Sequence, residues 1–411
     1  MKWFNSLSAV LVIPLALTAC GGGGDGGTQP VAAPSTGVFI DSPVQGLPYT
    51  SMPSGLSGLT GANGEFLYRS GDFVRFSMGG STIGEVLGQP QITPFTFLNL
   101  GSNTPSVTIE WPVNLAQLLL ALDTVPGNDT ITLPADLPTP PSCSPGVTVA
   151  WCPNFDADMK AAGIPLVSET DAIAHLQQQF AIWGSWATAV TPSELQVITF
   201  MPDGAFILAH DDDPLVAGGV DGMERGTYRW NATTNELTYT VAVDTDGMGG
   251  LSHLSASQTP PYTFVIDPSG NSAMLHFGPN VSDQIVFTRV IDANTLLVGA
   301  WKLSVPFESG FHAVLTFLPD GTFTVASDQT DTDSAGMERG TYVYDAIAEK
   351  VTFTTTVDTN GAFGVNDSPT LPAVVVIPGK IEQASDLGQF DVLRITEGPN
   401  QNVIFERVRV P

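Results

Sequence analysis

Twice in this chain a glutamate stands beside an arginine within the same seven residues, Gly-Met-Glu-Arg-Gly-Thr-Tyr at 222–228 and again at 336–342. An acid next to a guanidinium, repeated, is raw material for a duplicated acid–base or anion-binding site. Acidic loops flank both copies: HDDDP at 210–214 and SDQTDTDS at 327–334 before the heptad, VDTDG at 243–247 and VDTNG at 357–361 after it. Several oxygens at close spacing, with a glycine for the turn, suit calcium. That chemistry nominates Asp211, Asp213, Asp244 and Asp246 in the first copy, and Asp331, Asp333, Asp358 and Asn360 in the second. An EF-hand, however, ends its loop on a glutamate, and the stretch from Asp244 to Leu251 supplies none. Solvated turn aspartates that keep the chain soluble and guard sheet edges are the simpler reading. Calcium is thus the one ion these loops would take, and no other cofactor is expected.

Other chemistry is poorly provided for. His175, His210, His253, His276 and His312 are scattered and never paired at short spacing. The chain has no HExxH or GxSxG stretch and no glycine-rich phosphate loop. His210, His253 and His276 belong to the first copy and only His312 to the second, at no equivalent place, which argues against a duplicated hydrolase. His175 lies beside an apolar helical stripe and reads as a partly buried structural histidine.

The heptad is one line of a longer correspondence. Gly184-Ser185-Trp186 answers Gly299-Ala300-Trp301, TFMPDGAF at 199–206 answers TFLPDGTF at 316–323, and QIVFTRV at 284–290 answers NVIFERV at 402–408. Near-constant offsets mean two tandem copies of one domain, expected at 184–298 and 299–411. Each copy alternates apolar and polar residues between turns such as Pro-Asp-Gly, the pattern of antiparallel strands. In such a strand Gly226 and Tyr228 share one face and Arg225 and Thr227 the other, so Glu224 and Arg225 point apart. Arg225 and Arg339 are then candidates for an ion pair, a loop clamp or a ligand contact. The order of an early Trp, TFxPDGxF, GTY and a following LTYTV resembles lipocalin-like or other small calycin barrels, in which an early Trp plugs one end. A barrel-like meander is expected, although an open two-sheet sandwich would satisfy the same pattern.

Ahead of the repeats, residues 38–135 alternate short strand-like stretches with turns, as in GANGEFLYRSGDFVRFSMGG, and read as a small β-sandwich. Together with DSPVQGLPY and NLAQLLLALD, this series is similar to an N-terminal module of bacterial surface lipoproteins and adhesins, distantly like carboxypeptidase regulatory domains. The resemblance implies a spacer or display element with no catalytic residue. Helices are expected at 113–122 and, capped by Ser168, through Ile173, Leu176, Phe180 and Trp183. Residues 136–183 form a linker region. In it Cys143 and Cys152 are expected to close a short disulfide loop in an oxidising compartment. The fold class is therefore mainly β: a small N-terminal sandwich with short helices, then two antiparallel barrel-like domains.

The first residues read as a signal for export. Lys2 precedes an apolar run too short to span a bilayer, and Leu17-Thr18-Ala19-Cys20 resembles the lipobox of bacterial lipoproteins. The resemblance implies acylation of Cys20 and removal of residues 1–19, with 20–37 as a glycine-rich tether. Gly21 after the cysteine favours the outer membrane or cell surface. Loss of residues 1–19, which carry Lys2 and no acid, leaves 13 Lys and Arg against 41 Asp and Glu. That excess opposes nucleic acid and anionic membrane surfaces, while 43% hydrophobic residues exclude a disordered chain. The expected function is a non-catalytic, lipid-anchored surface protein for adhesion or ligand binding. Its partners would be membrane lipid through Cys20 and a surface glycan, a small apolar ligand or a protein. The alternative is an exported hydrolase acting on polysaccharide or ester through an acidic cleft.

Overall fold

The computed structural model describes residues 33–99, 110–140, 154–191, 193–212, 220–247, 249–257, 261–278, 280, 283–292, 295–304, 311–328, 335–361, 364–366, 368, 370–383, 391–398 and 401–408. Nine strands belong to the N-terminal part: β1 (Ser35–Phe39), β2 (Val44–Gln45), β3 (Pro48–Met52), β4 (Leu56–Leu59), β5 (Glu65–Tyr68), β6 (Phe73–Met78), β7 (Ser81–Leu87), β8 (Gln91–Ile92) and β9 (Ile131–Thr132). They form a four-stranded sheet in the order β4-β3-β6-β7, a three-stranded sheet β5-β1-β8 and the pair β2-β9. Three helices follow or interrupt them, α1 (Glu110–Ala121), α2 (Phe155–Ala161) and α3 (Glu169–Gln179).

Helix α1 is apolar on most faces because it serves two cores. Leu115, Leu118 and Leu119 pack with Phe39, Phe66 and Phe76 of the N-terminal sheets. Val113 and Ala116 join the core of the first repeat instead, with Leu176, Phe180 and Trp183. Helix α3 starts where its cap predicts: the Ser168 hydroxyl accepts from the Asp171 amide at 3.1 Å. Of the apolar stripe expected on it, Ile173 is 37% exposed while Leu176 is buried. His175 Nε2 meets the fully buried Asp41 carboxylate at 3.1 Å and so ties α3 to the N-terminal part. Burial works against a charge on His175, but the hydrogen bond and charge of Asp41 outweigh it and raise the imidazole pKa. A group whose folded pKa is raised contributes stability below its unfolded value, and that stability is lost as pH climbs through the folded one. Urea unfolding should therefore show His175→Gln costing more at pH 5.5 than at pH 8.5. An equal cost at both would dismiss the charged pair.

Each repeat is a closed eight-stranded antiparallel barrel. The first runs β10 (Gly184–Ala187), β11 (Leu195–Phe200), β12 (Ala205–Asp211), β13 (Gly222–Trp230), β14 (Glu236–Asp244), β15 (Tyr262–Ile266), β16 (Ser272–His276) and β17 (Gln284–Arg289), with α4 (Gly250–Ser257) after β14. The second runs β18 (Gly299–Leu303), β19 (His312–Phe317), β20 (Thr322–Asp328), β21 (Gly336–Asp345), β22 (Lys350–Asp358), β23 (Ala373–Glu382), β24 (Val392–Gly398) and β25 (Gln401–Arg407). Closure is made by β10 on β17, with Trp186 opposite Arg289, and by β18 on β25, with Trp301 opposite Arg407. The meander thus ends as a barrel and not as an open sandwich.

Local chemistry explains the shape. In both Pro-Asp-Gly turns the aspartate accepts the amide two residues on, Asp203 from Ala205 at 3.0 Å and Asp320 from Thr322 at 2.9 Å. The glycine of the heptad sits at a bulge, where the register between β13 and β14 shifts at Arg225/Gly226 and that between β21 and β22 at Arg339/Gly340. A Cβ on Gly226 or Gly340 would drive into the carbonyl oxygen of Thr240 or Thr354 on the neighbouring strand. Both barrels are filled. Trp186, Phe200, Phe206, Phe264 and Phe287 occupy the first, and Trp301, Phe317, Phe323, Phe353 and Phe405 the second.

One expectation needs correction. The described residues contain no disulfide bond, and Cys143 and Cys152 lie outside them, so the bridge expected between them is withdrawn. No described helix is long and apolar enough to cross a membrane.

Candidate functional site

The heptad's two charged residues do point apart, and each goes somewhere specific. Arg225 leaves the first barrel and pairs with Asp328 of the second, Nε to Oδ2 at 2.7 Å. Arg339 leaves the second barrel and pairs with Asp211 of the first, and its other amino group donates to the Thr191 carbonyl. Asp211 and Asp328 are equivalent positions, each the last residue of its strand, so the two ion pairs are exchanged between the copies. Between them lies an apolar seam of Ile207, Ala209 and Met223 with Val314, Ala326 and Met337. The junction has the self-complementary character of a twofold dimer interface, built within one chain. Burial pushes both aspartate carboxyls above their ordinary pKa, and the facing arginine pulls each back only in part.

The heptad glutamate goes inward. Glu224 is fully buried at the mouth of the first barrel. Its two carboxylate oxygens accept the backbone amides of Leu251 at 2.8 Å and Ser252 at 2.7 Å, in the first turn of α4. Those donors and the positive end of the helix favour the ionised acid. Burial, with the charge of Asp246 added, nonetheless raises its pKa to about 7. Glu338 repeats the contact in the second barrel, accepting from Val365 at 3.2 Å and Asn366 at 3.3 Å.

Around Glu224 the structure gathers residues that are far apart in sequence. Asp244 lies opposite it across the β13–β14 ladder. Oxygens of Glu224, Asp244 and Asp246 fall within 4.8 Å of one another. Asp246 Oδ2 faces His210 Nδ1 at 3.3 Å, and the other ring nitrogen meets Gln196 Nε2 at 3.3 Å. Burial opposes a charge on His210, but Asp246 and the more distant Asp212 and Glu194 raise its pKa overall. The second barrel has the same frame with one acid and the histidine replaced by neutral groups. Ser327 stands where His210 does and Asn360 where Asp246 does, joined by a bond from Asn360 Nδ2 to Ser327 Oγ at 3.0 Å.

The residues nominated by sequence are therefore divided. Asp244 and Asp246 join one cluster, Asp211 goes to the barrel junction, and Asp358 and Asn360 occupy the second barrel's mouth. Cys20, Cys143, Cys152, Asp213, Asp331 and Asp333 lie outside the described residues. Glu224 and His210 were the members sequence reasoning missed. The loop's lack of a downstream glutamate is made good from a preceding strand, and the exact repetition of Glu in the heptad was the available signal.

Open space lies outside the filled barrels. A cleft of about 600 Å³ at the junction is lined by Asp211, Asp212, Asp221, Arg339, Thr341 and Thr356. A smaller one of about 230 Å³ touches all three parts of the chain, beside the Lys302–Asp203 ion pair at 2.6 Å.

No family model and no curated protein matches the chain. Among solved structures, it is matched to the DNA polymerase III subunit beta from Pseudomonas aeruginosa, at 9% identity over 56% of this chain and 59% of that one, with a TM-score of 0.09. A likeness that slight carries no argument about fold or function.

Proposed function

We propose that the protein is a non-catalytic, lipid-anchored surface protein whose paired barrels present a polar junction cleft to a surface glycan. The observation that carries this reading is the placement of space: aromatic side chains fill both barrels, while the cleft at their junction is open, its hydroxyls and carboxylates interspersed with Arg339, Val220 and Val357. A small apolar ligand finds no support in interiors so packed. A hydrolase reading finds little either, because Glu224 and Asp246, two of the three clustered carboxylates, are fully buried. The calycin-like resemblance draws support from the first-strand Trp, fully buried in each barrel. The lipobox at Leu17–Cys20 supports the anchor, and the adhesin-type resemblance of residues 38–135 supports a display role.

The test is binding to an array of bacterial surface polysaccharides by the acylated chain and by Thr341→Trp, an exposed position that narrows the cleft. Wild type should bind, and the variant should lose at least about tenfold in affinity, the equivalent of roughly 1.4 kcal/mol. Equal binding by both would sink the cleft as the site. In the same cells Cys20→Ser should lose palmitate labelling and leave the membrane fraction; retention there would refute the anchor.

A further inference from the structure

We infer that Glu224, Asp244 and Asp246 bind one calcium ion at the mouth of the first barrel, and that the second barrel lacks this site. Three carboxylates converge there, met by one imidazole and by the two α4 amides on Glu224, a balance still short of positive charge. Asp246 is fully buried, and its Oδ1 meets no hydrogen-bond donor among the described residues. A buried carboxylate oxygen without a donor is costly unless something positive meets it.

The dimensions admit calcium. Calcium–oxygen distances run about 2.3–2.6 Å, so ligands on opposite sides of one ion stand roughly 5 Å apart, whereas magnesium would need about 4 Å. Three oxygens within 4.8 Å of one another lie inside the span of one such ion. All three ligands are oxygens, which favours a hard cation over zinc. Glu224 remains free to coordinate while holding α4, since each carboxylate oxygen accepts twice. His210 holds Asp246 from behind, as an orienting neighbour of a ligand does. Asp244 is exposed and gives the ion its way in, while Glu224 and Asp246 are not. The loop is shaped around these groups: a Cβ on Gly250 would lie 2.6 Å from both Asp246 Oδ2 and Glu224 Oε1.

The second copy shows what the scaffold needs without the ion. There Asn360 replaces Asp246 and Ser327 replaces His210, while Glu338 still braces the following loop. A barrel of this repeat thus closes with a neutral pair at that position, where Asn360 Oδ1, like Asp246 Oδ1, meets no donor among the described residues. One acid fewer leaves the second mouth short of the charge that holds a divalent ion.

The full chain, stripped with EDTA and dialysed, should be titrated with CaCl2 by isothermal calorimetry, alongside Asp246→Asn and Asp244→Asn. Wild type should bind with a Kd of about 10⁻⁴ M or tighter, within the range of calcium sites on exported modules or below it. Each variant should bind one calcium fewer, and MgCl2 should compete weakly. Asp246→Asn installs the residue the second barrel already carries, and Asp244 is exposed, so at least one variant remains folded. Absence of calcium binding by wild type at 5 mM CaCl2 (a ~50-fold excess over that Kd), or an unchanged stoichiometry in Asp244→Asn, would overturn the inference.

Discussion

Arg339→Ala should destabilise the protein by about 3–5 kcal/mol, the loss expected when a buried ion pair is broken from one side. Asp211 would be left at 5% exposure with its charge uncompensated. The Thr191 carbonyl would lose its donor in the same step. Arg225→Ala should cost a similar amount, because Asp328 is itself fully buried even though the Arg225 side chain is 24% exposed. The pairs hold register more than they supply net attraction: two charges brought out of water gain little over a matched apolar contact, and the seam of Met223 and Met337 supplies the burial. The double variant Arg339→Ala/Asp211→Ala should accordingly recover much of the loss, because the stranded charge is gone. Urea unfolding of the two single variants and the double closes that cycle. A cost under about 1 kcal/mol for Arg339→Ala, the range of an exposed ion pair, would show that the junction is solvated and its clamp idle.

The same residues show what sequence could and could not disclose. The duplication, the strands and the barrel-like meander were legible because their signals are local: Pro-Asp-Gly fixes a hairpin within four residues, and alternation fixes faces within a strand. The opposite facing of Glu224 and Arg225 follows from the same period. Their partners do not. Arg225 meets an aspartate 103 residues away and Arg339 one 128 residues away, each in the other copy. Only the packing of one barrel on the other decides that. Asp211 sits in a run of three aspartates, so its composition spoke for a solvated loop, while its position as the last residue of β12 placed it at the junction. His210 lacked a short-range partner and therefore any signal, since Asp246 reaches it across 36 residues of chain. Exact repetition in the heptad marked both charged residues as required, one for the junction and one for the mouth, without saying which.

Trp301→Ala should also cost about 3–5 kcal/mol, by loss of a large buried side chain and the cavity left behind. Trp301 is fully buried, and its indole N–H donates to the Leu297 carbonyl at 2.8 Å. The Arg407 guanidinium covers the ring while donating to the Val298 carbonyl at 2.9 Å and to Asp391 at 3.0 Å. One tryptophan therefore joins the incoming linker, the first strand and the last strand, which is where the barrel must close. Trp301→Phe separates the contributions. It keeps a ring beneath the guanidinium but leaves Leu297 without its donor, a loss of about 1–3 kcal/mol. In the first barrel Trp186 makes the matching bond to Ile182 at 2.8 Å, but Arg289 above it donates to the backbone carbonyls of Trp183 and Gly270, at 2.7 and 2.6 Å. Burial alone lowers the Arg289 pKa, to about 10, whereas Asp391 works against that effect at Arg407. Trp186→Ala opens a path for water to a guanidinium that burial had penalised, and this relief offsets part of the cavity cost. The two alanine variants should consequently differ, with Trp301→Ala the more damaging in thermal unfolding. Equal losses would mean that the aromatic volume alone closes these barrels and that the arginines only cover it.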